Sequence, residues 1–206
     1  MKSIIMSLKY FVHVSSISNL SDARYCSGMM VDSLGYNLDE NSNNILSIDS
    51  VKEISQWVNG VKFIAEFYNS SEEHINKILE NEIFDAIQLN IENKIKNLNF
   101  NNCKVLIRIS NPNEINENTN KFLDENFPKT ETLIIDNLSS ESINNLGYLD
   151  RKYMLIINPY EDISSLISKL EHKNFGLLLK GSSEIRPGLK DYDSLSEFLE
   201  SIDDSF

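Results

Sequence analysis

Short apolar runs, amphipathic stretches between them, and helix-start signals ahead of several of those stretches predict an α/β fold of parallel strands joined by crossover helices. Eight runs qualify as strands, at residues 10–14, 33–36, 61–67, 84–89, 103–109, 132–135, 153–157 and 175–179. Runs such as Leu133-Ile134-Ile135 and Leu177-Leu178-Leu179 are apolar at every position, as strands covered on both faces require. The stretches at 50–58, 71–79, 113–123, 162–170 and 191–199 repeat apolar residues every three or four positions and read as the crossover helices.

The elements follow in order. After the first strand, Asn19 precedes Leu20 with Asp22 at the third position, a cap that starts a helix. Ser71 is followed by Glu72 and Glu73, and Asn113 by Glu114, which place acidic side chains in the first turn. Connections after the fourth and sixth strands are short, so one or two helices are reduced. With 206 residues and 41% hydrophobic content, residues 1–206 suit one domain with one core. Periodicity leaves two sheets open, an open doubly wound one and a closed barrel of eight βα units. No strand leads into a glycine-rich dinucleotide fingerprint.

Charge narrows the partners. A formal charge of -12, from 31 acidic and 19 basic side chains, repels nucleic acid and anionic membranes, and no basic patch offsets it. Apolar stretches end long before the roughly 20 residues that span a bilayer. The N-terminus lacks the basic, apolar and cleavage regions of a signal peptide, so a cytoplasmic location is expected. Cys26 and Cys103 have neither metal-site nor disulfide spacing and read as free thiols. Neither a metal nor another cofactor is expected.

Four segments in the right order carry a resemblance. His13-Val14-Ser15-Ser16-Ile17-Ser18-Asn19-Leu20-Ser21-Asp22-Ala23-Arg24-Tyr25 resembles the strand-one signature of the phosphoribosylanthranilate isomerase family. Val31-Asp32-Ser33-Leu34-Gly35-Tyr36 and Phe84-Asp85-Ala86-Ile87-Gln88-Leu89 are similar to its Ala-Asp-Ala-Leu-Gly-Phe and Leu-Asp-Ala-Val-Gln-Leu. Glu184-Ile185-Arg186-Pro187-Gly188-Leu189-Lys190-Asp191 is similar to its Glu-x-x-Pro-Gly-Val-Lys-Asp. The resemblance covers nearly the whole chain. It implies a compact (βα)8 TIM barrel, with any ligand site where strand C-termini meet their loops.

In that family a general acid opens the sugar ring of an aldosylamine phosphate and a general base removes a proton from its second carbon, an Amadori isomerisation in tryptophan biosynthesis. The resemblance places Asp136, at the end of strand six, in the acid's position. It places Ser15 where the family pattern Lys-Ile-Cys-Gly-Ile-Thr has its cysteine base, and a serine hydroxyl is a very poor proton acceptor unless another base activates it. His13 shares a strand face with Ser15 and is the local substitute, although it sits roughly 7 Å deeper.

The phosphate site of the family is altered too. Ile157-Asn158-Pro159-Tyr160 replaces its strand-seven glycines, and proline supplies no N–H. Lys180-Gly181-Ser182-Ser183 at the end of strand eight keeps a cation with backbone and hydroxyl donors, the expected phosphate site. Ser42-Asn43-Asn44 stands for the family's Ser-Pro-Arg, and Gln88-Leu89-Asn90-Ile91 for its Gln-Leu-His-Gly. Glu66 and Arg108 interrupt apolar strands near the same end and suit a polar site or an ion pair.

Three functions fit these residues: a diverged isomerase, a noncatalytic barrel for binding or assembly, and an altered enzyme acting on another small phosphorylated compound. The sequence does not identify a protein partner.

Overall fold

The computed structural model describes residues 8–93, 95, 98, 103–159, 168–170, 174–181, 184–186, 189–190 and 193–202. Eight parallel strands close into a barrel in chain order: β1 (Phe11–Ser15), β2 (Ser33–Asn37), β3 (Lys62–Glu66), β4 (Ala86–Asn90), β5 (Lys104–Ile109), β6 (Thr130–Leu138), β7 (Met154–Pro159) and β8 (Phe175–Lys180). Pairing of β8 with β1, from Phe11 opposite Gly176 to Ser15 opposite Lys180, removes any free edge. The chain therefore has the (βα)8 TIM-barrel arrangement and not the open sheet.

Helices α1 (Leu20–Gly28), α2 (Ile48–Ser55), α3 (Glu72–Leu79), α4 (Thr119–Asn126) and α5 (Asp193–Ser201) flank it. Their starts follow cap chemistry. The side chains of Asn19, Ser47 and Ser71 accept from the N–H groups of Asp22, Ser50 and His74. Ser47 thus starts α2 two residues ahead of the expected 50. The helix expected at 113–123 is divided into a 3-10 turn at Pro112–Glu114 and α4. Asn111 and Asn116 explain the break, because each side chain accepts from the backbone N–H two residues on, at 3.2 and 2.9 Å, and competes with helical bonding.

Between β6 and β7 the chain makes a 3-10 turn at Ile143–Tyr148, a reduced helix of the kind the short connection predicted. Most of the helix expected at 162–170 lies outside the described residues. A small antiparallel ribbon, β9 (Glu184–Arg186) with β10 (Leu189–Lys190), follows the barrel and was not expected from the apolar pattern.

Alternation along the strands sorts the core into two clusters. Outward residues such as Val12, Leu34, Ile87, Ile107, Leu133 and Leu155 pack under the helices. Inside the barrel, Ile64, Ala86, Leu106, Ile134, Ile156 and Leu178 with Phe11 make a separate apolar layer. No described helix is long and apolar enough to cross a membrane.

Candidate functional site at the strand ends

Two residues beyond that apolar layer, on the same inward faces, the strands turn polar. The step is from Phe11 to His13, with Ser15 two residues further, from Ile64 to Glu66, from Ala86 to Gln88, from Leu106 to Arg108, from Ile134 to Asp136 and from Ile156 to Asn158. His13, Ser15, Glu66, Gln88, Arg108 and Asp136 are all buried. Such a layer persists only if its groups satisfy one another.

They pair in two groups, which leave His13 Nε2, Glu66 Oε1 and Gln88 Nε2 without a hydrogen bond among the described residues. Arg108 donates to Asp136 through two nitrogens, Nε to Oδ2 at 2.5 Å and Nη2 to Oδ1 at 2.8 Å. Its Nη1 donates to Gln88 Oε1 at 3.1 Å and to the Tyr68 hydroxyl at 3.3 Å, and its guanidinium lies 5.3 Å from the centre of the Tyr68 ring. Asn158 Nδ2 adds a bond of 3.1 Å to Asp136 Oδ1. The Asp136 carboxylate thus accepts three hydrogen bonds. Burial works against the Arg108 charge, but the Asp136 hydrogen bonds and the Asp136 and Glu66 charges outweigh it and raise its pKa. Burial, then the Glu66 charge, push the Tyr68 pKa up against the opposing effects of Arg108, Ser15 and Gln88, so the phenol keeps its proton.

The second group joins β1 to β3. His13 Nδ1 lies 3.0 Å from Ser33 Oγ, and Nε2 is 3.4 Å from Glu66 Oε1, within ion-pair reach but outside hydrogen-bond geometry. Glu66 Oε2 accepts from the Ser16 N–H at 3.2 Å. Ser16 adopts a left-handed backbone at φ 59 just past the strand end. Gly35 on β2 makes room for this pair: a Cβ there would stand 2.1 Å from Glu66 Oε1 and 2.9 Å from His13 Cε1.

Glu66 and Arg108 both face inward, but they belong to different pairs. Register explains the choice. Arg108 is opposite Ile134 on β6, and Asp136 is two residues further along the same face, where a long side chain leaning toward the strand end meets it. Ser15 Oγ is 3.2 Å from Ser16 Oγ, and Ser15 stands beside Lys180 in the β1–β8 register. Lys180 is exposed. The Gly181 N–H is donated to Ser15 O at 2.9 Å, which extends the strand pairing by one bond. Ser182 and Ser183 lie outside the described residues. The contributions of Tyr68, Gln88 and Asn158 to the Arg108–Asp136 pair were not read from the sequence. For Gln88 and Asn158 the signal was a polar side chain on the same inward strand face as Arg108 and Asp136, and Tyr68 lies in the loop after β3.

Other residues of the segments that carry the resemblance lie at the strand beginnings and the first helix. Asp32 accepts from the Val12 N–H at 2.7 Å and Asp85 from the Phe63 N–H at 2.8 Å, the same stitch between the beginnings of β1 and β2 and of β3 and β4. Burial raises the Asp32 pKa, offset in part by the Val12 N–H and the Lys62 charge. Asp22 is buried and accepts from the Ser18 N–H and hydroxyl. These are roles in folding.

Comparison with solved structures supplies a fold likeness. The phosphoribosyl anthranilate isomerase of Thermus thermophilus superposes with a TM-score of 0.72 at 15% identity, covering 92% of this chain and 96% of that one. The Thermotoga maritima isomerase gives 0.71 at 19% identity, covering 94% and 98%. The fold is that of phosphoribosylanthranilate isomerase. An isomerase structure in complex with reduced 1-(o-carboxyphenylamino)-1-deoxyribulose 5-phosphate gives 0.68 at 20%, covering 93% and 97%. No family model matches the chain, and no curated protein matches it. In this barrel Asp32 and Asp85 tie the strand beginnings and Asn19 caps α1, while the strand ends carry the Arg108–Asp136 and His13–Glu66 pairs.

Proposed function

We propose that this chain is a phosphoribosylanthranilate isomerase-like barrel that has left the Amadori reaction and binds a small phosphorylated compound without converting it. The observation that carries the reading is the clamp on Asp136. A general acid must offer its proton to the substrate, yet both oxygens of this carboxylate accept hydrogen bonds, from Arg108 and Asn158. At the other catalytic position, Ser15 offers a hydroxyl, and buried His13 is engaged with Ser33 and Glu66. The exposed Lys180 ammonium supplies the cation for the phosphate.

The test has two arms. Freshly generated phosphoribosylanthranilate should disappear no faster with the protein than without it; turnover above the uncatalysed rate would return the chain to the isomerases. Calorimetric titration with reduced 1-(o-carboxyphenylamino)-1-deoxyribulose 5-phosphate should show saturable binding that Lys180→Ala weakens about tenfold. Absence of binding would remove the ligand from the reading and leave an assembly role.

A further inference from the structure

The chain holds one Asn-Gly step, Asn59-Gly60, in the turn that leads from α2 into β3. Gly60 takes φ 81, the left-handed region that glycine enters without strain, so the turn itself keeps glycine at this position. Both residues are exposed, and nothing stands within 4 Å of the point where a Cβ of Gly60 would be. The fold uses only the backbone of Asn59, whose carbonyl accepts from the Ser27 hydroxyl at 3.3 Å. Among the described residues neither the Asn59 side-chain amide nor the Gly60 N–H has a hydrogen-bond partner.

Asn41-Ser42 is the contrast. Asn41 is exposed as well, but its Nδ2 donates to Asn69 O at 2.6 Å, and the Ser42 N–H donates to Asp39 O at 3.0 Å. There the amide and the backbone nitrogen that follows it are both engaged; at Asn59 both are free.

We propose that Asn59 is a modification site, converted through a cyclic imide with Gly60 into aspartate and isoaspartate. The Gly60 nitrogen bonds to Asn59 Cγ, the Cγ–Nδ2 bond breaks, and Nδ2 leaves as ammonia with the proton of the Gly60 N–H. Water then adds to one of the two imide carbonyls. Nothing is oxidised or reduced, and water is the only co-reactant. Ring closure between adjacent residues is intramolecular, so a free amide beside an unhindered nitrogen needs no further catalyst. Opening at Cγ restores the backbone and leaves an aspartate. Opening at the Asn59 carbonyl carbon leads the backbone through Cγ, one carbon longer, just ahead of Lys62, the first residue of β3. Either product adds one negative charge to a chain of net charge -12. The turn lies at the strand beginnings, so the site is independent of the strand-end reading.

The test holds the full-length protein at mildly alkaline pH, folded or in urea, and follows tryptic peptides by chromatography and mass spectrometry. Residues 53–62 form a peptide with Asn59 as its one asparagine. Folded protein should convert Asn59 as fast as the unfolded chain does, into two products of equal mass that separate on the column. Asn41 should convert about tenfold more slowly folded than unfolded, because two hydrogen bonds must break before its ring can close. Isoelectric focusing of the folded protein should show an acidic species that Asn59→Gln removes. Protection of Asn59 by folding to the degree seen at Asn41, an Asn59 that stays intact, aspartate without isoaspartate, or an acidic species undiminished in Asn59→Gln would overturn the proposal.

Discussion

Asp136 shows how strongly one residue depends on its partner. Asp136→Asn removes the charge that balances buried Arg108, and breaking a buried pair from one side costs about 3–5 kcal/mol. Urea unfolding should show that loss as a lower midpoint. The double variant Arg108→Met/Asp136→Leu should recover most of it, because an apolar pair leaves no unpartnered charge; a double variant no better than the single would mean that the pair is not the source. Asp39 offers a pH test at the same scale. Its buried carboxylate accepts from the N–H groups of Tyr68, Asn69 and Asn41 and from the Ser70 hydroxyl, which ties the loop after β2 to the loop after β3. Burial raises its pKa, but the Asn69, Tyr68 and Asn41 N–H groups and the Ser70 hydroxyl outweigh that and hold it below the ordinary value. An unfolded aspartate titrates near about 3.9. Because folded Asp39 binds its proton less tightly, its contribution to stability is complete above that pH and is lost as pH falls through the lower folded value. The stability difference between the protein and Asp39→Asn, measured by urea unfolding, should therefore be constant near neutrality and shrink below about pH 4. A difference that stays constant to pH 2 would contradict this.

Elements differ in how far the sequence revealed them. All eight strands were legible, because a strand covered on both faces is apolar throughout and its length is short. Their closure was not legible from periodicity, which is shared with open sheets; the motif order supplied it. Helix boundaries were displaced where side chains compete for backbone N–H groups, as Asn111 and Asn116 do ahead of α4. Within the site, the two-residue period put His13 on the face of Ser15, and Glu66 and Arg108 stood out as charges in apolar strands, but the partner of Arg108 was not legible. Asp136 lies 28 residues away on the next strand, and the pairing depends on a register that only the folded barrel defines. Gly35 marks an element-scale constraint of the same origin, since β2 can pass β3 only where no Cβ meets Glu66. Gly35→Ala should destabilise the fold by about 1–3 kcal/mol through that overlap. Combining it with Glu66→Ala should give less than the sum of the two single losses in a double-mutant cycle, and strict additivity would show that the overlap is relieved elsewhere.

Across the whole molecule, the two ends of the barrel have different relations to the family it resembles. Strand beginnings keep the Asp32 and Asp85 stitches that hold neighbouring strands in register, and those residues speak for fold. In the proposed reading, the strand ends hold paired groups where the isomerases use an acid and a base, and the pairs span several strands. Reverting one residue should therefore be insufficient. Ser15→Cys restores the thiol of the family pattern at a buried position with little change in volume, so the fold should tolerate it. The thiol would still stand above His13 and Glu66 and opposite an Asp136 whose oxygens accept from Arg108 and Asn158. Isomerisation needs base and acid in one turnover, and a restored base without a proton donor leaves ring opening unassisted. Ser15→Cys should accordingly show circular dichroism and unfolding midpoints close to those of the parent, and consume phosphoribosylanthranilate no faster than buffer. Turnover in that variant would mean that Asp136 donates its proton despite Arg108, and the loss of the reaction would then rest on the single cysteine.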